Sequence, residues 1–129
     1  MKTLSVQQPW AWAIIAGHKT IENRSWTTAY RGPLLIHAGG RLKRDNYNRI
    51  LDIAAEDGFA VPALEDLPRG GIIGRVDLVD IVTTSNDPWF ERGGYGWVLV
   101  HPRPLPFRPC PGRLGLFEMA DDVVGHNAL

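Results

Sequence analysis

Residues 71–84, Gly-Ile-Ile-Gly-Arg-Val-Asp-Leu-Val-Asp-Ile-Val-Thr-Thr, constrain the fold more than any other stretch of the chain. Aliphatic, mostly β-branched side chains recur at Ile72, Ile73, Val76, Leu78, Val79, Ile81 and Val82. Such residues fit a pleated, half-buried surface, so the segment predicts a long strand with Gly74 at a bulge. A long strand needs neighbours on both sides, and the rest of the chain supplies several. Leu4 and Val6 alternate within residues 2–7, and Pro33-Leu34-Leu35-Ile36-His37-Ala38 is nearly all apolar. That second pattern suits a strand covered on both faces. Tyr95 to Val100 and Leu114 to Met119 complete the set, and residues 20–26 also alternate. The five prolines between 102 and 111 allow at most an edge strand or an extended segment there.

Helices are few. Pro9 suits a first helical position, Trp10, Ala13 and Ile14 share a face, and Gly17 suits a left-handed stop. A second helix is predicted from Arg41 to Glu56, with Tyr47, Ile50, Leu51 and Ala54 as its apolar stripe. Its basic start, with Arg41, Lys43 and Arg44, opposes the helix dipole and asks for an anionic partner. The pattern weakens from Asp121, where a frayed tail is expected. The economical architecture is α+β: one domain over residues 1–129, a small, mostly antiparallel barrel flanked by two or more helices.

Composition narrows the function classes. Fourteen basic residues balance fourteen acidic ones, so nucleic-acid binding would need a local basic patch. Cys110 is the one cysteine and has no metal-ligand spacing around it, and no metal or cofactor is predicted. No apolar run approaches the roughly 20 residues of a membrane helix, and Lys2 is not followed by a signal-peptide core. A cytoplasmic protein is expected. Ser25 and Ser85 show no Ser-His-Asp pattern.

The chemistry concentrates in the first 26 residues, which hold Gln8, Trp10, Trp12, Lys19, Glu22, Asn23, Arg24 and Trp26. Strand alternation places Glu22, Arg24 and Trp26 on one face and Ile21, Asn23 and Ser25 on the other. A carboxylate and a guanidinium two apart form a surface ion pair at the least. At the most, Glu22 accepts from a base amino group and Arg24 grips phosphate. Lys19 moves a proton if burial tunes it, holds phosphate, or is simply solvated. Of Trp10, Trp12 and Trp26, one is expected in the core and another stacked on a base, and the sequence leaves open which. Gln8 caps a helix or offers its amide to a ligand. Asp77 is the preferred second carboxylate of the cleft over Asp80, and His37 reads as a hydrogen-bonded structural histidine. Arg31, Arg41, Lys43 and Arg44 are candidate phosphate contacts on the rim.

Three blocks resemble the ASCH domain family. They are Leu4-Ser5-Val6-Gln7-Gln8-Pro9-Trp10-Ala11, Gly17-His18-Lys19-Thr20-Ile21-Glu22-Asn23-Arg24-Ser25-Trp26, and Tyr30-Arg31-Gly32-Pro33-Leu34-Leu35-Ile36-His37-Ala38. Gly74-Arg75-Val76-Asp77-Leu78 and Tyr95-Gly96-Trp97 are similar to the family's later strands, so the likeness spans roughly residues 2–119. It implies a PUA-like barrel with a cleft between barrel and helices, and a role in RNA metabolism or transcription coactivation. Some family members are amidases of N4-acylated cytidine and others ribonucleases. The amidases use a lysine, a threonine three residues later and a carboxylate from a later strand. Lys19 matches the lysine, but Glu22 stands where the threonine would be, which removes the hydroxyl nucleophile. The leading expectation is therefore binding of RNA or a nucleotide fragment. The hydrolase alternative uses Lys19 with Glu22, and Asp77 as a further carboxylate. A protein-interaction module built on Trp89-Phe90 and the proline-rich strand is the third expectation.

Overall fold

A computed structural model describes residues 1–120. The expected frayed tail from Asp121 lies outside the described residues. Strand β1 (Lys2–Gln8) leads into the short helix α1 (Trp10–Ile15), followed by β2 (Ile21–Arg24), β3 (Gly32–Leu42) and helix α2 (Arg44–Asp57). After a 3-10 turn at Leu64–Asp66 come β4 (Gly71–Val82), β5 (Tyr95–Pro109) and β6 (Leu116–Glu118). No described helix is long and apolar enough to cross a membrane.

The six strands form one sheet in the order β2-β5-β4-β3-β1-β6. All neighbouring pairs are antiparallel except β1 with β3, which run parallel because α1 and β2 lie between them in sequence. The α+β class holds, but the expected barrel does not: β2 and β6 end the sheet at opposite edges. A barrel must pair its first and last strands, and these two are short, at four and three residues.

One face of the sheet carries the main core. Leu4 and Val6 of β1, Leu34, Ile36 and Ala38 of β3, Val76 and Leu78 of β4, and Trp97 and Leu99 of β5 meet Ala11 and Ile14 of α1 there. A smaller cluster joins α2 through Tyr47 and Ile50 to Ala13 of α1 and to Leu67. Gly74 sits where β4 shifts register against β5, and an added Cβ would lie 2.6 Å from the Arg103 carbonyl and from Ile15 Cδ1.

Two boundaries differ from the sequence expectation. β3 runs on through Gly39, Gly40 and Arg41 to Leu42, which pairs with Gln8. The helix therefore begins at Arg44, with Lys43 extended at its N-cap and Asp45 in the first turn. Arg41 and Lys43 stand before the helix rather than in it, and Asp45 is the first-turn anion that offsets their conflict with its dipole. The proline segment is part of β5, paired with β4 as far as Pro109. Its other edge is covered by β2 only from Tyr95 to Val98, so the prolines stand where a missing N–H breaks no second ladder.

Candidate functional site

The end of α1 sets up the site. Gly17 takes a left-handed φ of 86°, and the His18 and Lys19 N–H groups both return to the Ala13 carbonyl at 2.9 and 3.0 Å. This closure reverses the chain into β2 and tucks Lys19 inward, leaving it 6% exposed. Its ammonium donates to the Ile21 carbonyl, lies 3.4 Å from Glu22 Oε1 and stands 5.3 Å from the Trp89 ring centre. Burial pushes the Lys19 pKa below its ordinary value, and the nearby Glu22 carboxylate only partly opposes this.

Glu22 and Arg24 share a side of β2, as alternation requires. Arg24 Nε and Nη2 both reach Glu22 Oε2 at 3.0 Å, and Nη2 also donates to the Ser5 carbonyl at 2.8 Å. Lys19, Glu22 and Arg24 thus form one row, cation, anion, cation, with a net charge of one positive unit. The row borders a cleft with two chambers. The larger, about 790 Å³, is lined by Ser5, Trp10, Arg24, Trp26 and the returning segment Gly112–Gly115 with Arg113. The smaller, about 270 Å³, is lined by Lys19, Arg49, Ile53 and Pro88–Glu91. Trp10, Glu22 and Asn23 line both chambers and form the partition between them.

The tryptophans divide their roles. Trp97 is fully buried, and Trp26 packs edge-on against it at 4.8 Å while lining the larger chamber. Trp10 meets Trp89 edge-on at 6.3 Å, and the Arg49 guanidinium covers Trp10 at 5.7 Å. Trp12 turns away to pack with His18 and Phe59.

Other predicted residues fall outside the cleft or are fully engaged. Gln8 is 0% exposed; its carbonyl oxygen accepts from the Trp12 N–H at 2.8 Å and its amide donates to the Pro68 carbonyl at 2.8 Å. It closes the start of α1 and is out of a ligand's reach. Asn23 donates to the Trp89 carbonyl and accepts from the Glu91 N–H, which pins the 87–91 loop over the smaller chamber. Asp77 lines neither chamber and pairs with His101 at 2.9 Å. Arg31 donates to the Thr28 and Tyr30 carbonyls, and Arg44 lies over Tyr47; with Arg41 and Lys43 they line neither chamber.

His37 is 1% exposed. Its Nε2 lies 2.7 Å from the Cys110 carbonyl, which can only accept, so Nε2 carries the proton and Nδ1 accepts from Ser5 Oγ at 2.9 Å. This bond ties β1, β3 and the 110–115 segment together beside the cleft. Among the described residues no group of three or more His, Cys, Asp or Glu side chains is placed to hold a metal.

Ser5, Arg113 and Trp89 were not among the sequence's ligand residues. Arg113 reaches the cleft because β6 pairs with β1, a contact between the two ends of the domain. Trp89 arrives through Asn23, 66 positions away. Neither leaves a local pattern.

A small α+β domain with a charged, tryptophan-walled cleft beside its edge strand is the class defined by this geometry. Residues 4–105 match the ASCH domain, and the chain belongs to that family. Over 84 residues it is 38% identical to activating signal cointegrator 1 of Mus musculus and 37% identical to that of Homo sapiens. Each match covers 62% of this chain but 14% of the relative, so the chain spans a small part of their length. The fold resembles the crystal structure of ASCH from Zymomonas mobilis, with a TM-score of 0.56 and 16% identity over 95% of this chain and 89% of that one. A mutant of the same protein gives 0.57 and 16% over 95% and 91%. At such identity the likeness is one of fold.

Proposed function

We propose that the cleft binds RNA, or a nucleotide fragment of it. The observation that carries this reading is the Lys19–Glu22–Arg24 row, whose Glu22 and Arg24 line the larger chamber together with Trp10, Trp26 and Arg113. The whole chain is electrically neutral, so its attraction for a polyanion is local. Arg24 and Arg113 offer the larger chamber two guanidiniums, the group best shaped to fork a phosphate. Trp10 and Trp26 line the same chamber, and stacking of a base on such a ring is worth about 1–3 kcal/mol. A module that holds nucleic acid is compatible with the role that the name signal cointegrator gives the mouse and human relatives.

Fluorescence anisotropy with short RNA at several salt concentrations tests the reading. Affinity should fall linearly with salt on logarithmic axes, and Arg24→Ala and Arg113→Ala should each flatten the slope by about 1. Absent binding, or binding indifferent to salt, would reject it.

A second reading, hydrolysis of RNA or of an acylated cytidine, is favoured by one observation. Lys19 is buried beside a carboxylate with its pKa lowered. In that reading Lys19 transfers the proton and Glu22 orients it or activates a water. Turnover of acylcytidines or RNA by wild type that is undiminished in Lys19→Ala would rule out this assignment.

A further inference from the structure

The smaller chamber carries a charge arrangement of its own. Among the described residues its charged lining is two cations, Lys19 and Arg49, and two carboxylates, Glu22 and Glu91. The carboxylates are held very differently. Glu22 is 11% exposed and is shared between Lys19 at 3.4 Å and Arg24 at 3.0 Å, so it is fixed in place. Glu91 meets Arg49 at 3.5 Å, and both side chains are more than half exposed, at 59% and 61%. An exposed pair at that distance contributes little to stability, so little is lost when another anion takes its place. The backbone that carries Glu91 is held independently of that pair. Asn23 accepts from the Glu91 N–H at 2.9 Å and donates to the Trp89 carbonyl at 2.8 Å, and the Thr20 hydroxyl donates to Asp87 at 2.7 Å. The Glu91 side chain can therefore leave Arg49 by rotating about its own bonds while the loop stays.

An anion displaces Glu91 only if it offers more than a carboxylate does. A phosphate monoester offers more charge, about −1.5 to −2 near neutral pH, and three strong acceptor oxygens. Its geometry suits the planar guanidinium fork of Arg49. Its second charge falls in a chamber that Lys19 also lines. A backbone phosphodiester, with one charge, has less to gain. The chamber, about 270 Å³, lies below the roughly 300–1,000 Å³ of pockets that enclose drug-sized ligands, so it suits a phosphate with a small attached group. Trp89 and Phe90 supply it with apolar wall.

We propose that the smaller chamber is a phosphomonoester site, with Arg49 and Lys19 as its cations and Glu91 as the built-in anion that the ligand displaces from Arg49. The site stands whether or not the larger chamber binds RNA. The monoester comes from a small phosphorylated molecule or from the phosphorylated end of a nucleic-acid strand.

NMR titration of the tryptophan indole N–H signals of the whole chain with phenyl phosphate and with benzoate, at neutral pH and constant ionic strength, tests it. Phenyl phosphate should shift Trp89, which lines the smaller chamber, and leave Trp26, which lines the larger one alone of the two. Benzoate, a ring with a single charge, should bind roughly fivefold more weakly or less still. Arg49→Ala should weaken phenyl phosphate roughly tenfold, the loss expected for hydrogen bonds to a charged group. Glu91→Gln keeps the side chain's shape and removes the competitor, so it should tighten binding about threefold to fivefold. An RNA dinucleotide carrying a 5′-phosphate, a 3′-phosphate or neither separates the sources. Tighter binding of a phosphorylated form assigns strand ends, and equal binding of all three assigns small phosphomonoesters; both uphold the site. A phenyl phosphate shift confined to Trp26, no shift at Trp89, benzoate bound as tightly, or binding that Glu91→Gln leaves unchanged or weakens overturns it. Phenyl phosphate bound at Trp89 by a chain that binds no RNA rejects the RNA reading and leaves this site standing.

Discussion

Replacing Glu22 with Gln keeps the shape of the side chain and removes its charge. Two cations would then lose the carboxylate they share, Lys19 at 6% exposure and Arg24 at 23%, where each now lies 3.0 to 3.4 Å from one of its oxygens. Removing one partner of a buried ion pair costs roughly 3–5 kcal/mol. Arg24 keeps the Ser5 carbonyl and some solvent, so the lower end applies, and Glu22→Gln should lose about 3 kcal/mol. Urea unfolding followed through tryptophan fluorescence measures this, with an unchanged m-value certifying that the same surface unfolds. Lys19→Met provides the control. With the buried ammonium gone, much of the Glu22→Gln penalty disappears, and the double mutant should fall short of the sum by about 1–2 kcal/mol. A Glu22→Gln loss under about 1 kcal/mol, with strictly additive mutants, would show that the row is solvated like an ordinary surface pair and would refute the argument.

Lys19 also predicts a pH dependence. Its folded pKa lies below 10.5 because burial disfavours the charged form. Between that lowered value and 10.5 the unfolded chain holds a proton that the folded chain has released. Stability should therefore rise with pH across that window, and denaturant midpoints should show Lys19→Met without the rise. Gly74→Ala would force a Cβ to within 2.6 Å of the Arg103 carbonyl, a backbone atom that cannot swing aside. A loss of about 2 kcal/mol is expected, and an unchanged urea midpoint would contradict the packing described. Asn23→Ala removes both bonds that hold the 87–91 loop. Faster amide exchange or proteolysis there, with a global cost of about 1–2 kcal/mol, is expected; unchanged exchange at Glu91 would count against the pinning.

The parts legible in the sequence are those whose cause is local. Val76 and Leu78, Leu34 and Ile36, and the glycine after α1 all announced their elements through spacing or backbone freedom. Lys19, Glu22 and Arg24 were readable because alternation on β2 and the turn at Gly17 act over a few residues. What escaped depended on long-range pairing. Arg41 and Leu42 read as the start of a helix, but β1 draws Leu42 into the sheet through Gln8. The barrel failed because closure requires the edge strands to meet, which no local pattern encodes. Asp77 looked suited to the cleft from its strand position, yet pairing of β4 with β5 places it beside His101. Arg113 entered the site only because β6 lies beside β1.

The most direct measurement is an NMR titration of the five tryptophan indole N–H signals with short oligo(U). The account predicts that the Trp10, Trp26 and Trp89 signals shift together, since these rings line the cleft. Trp12, packed against Phe59 and His18, should stay in place as an internal control. Saturable binding that moves Trp12 while leaving Trp10, Trp26 and Trp89 untouched would contradict the claim that this cleft is where nucleic acid binds.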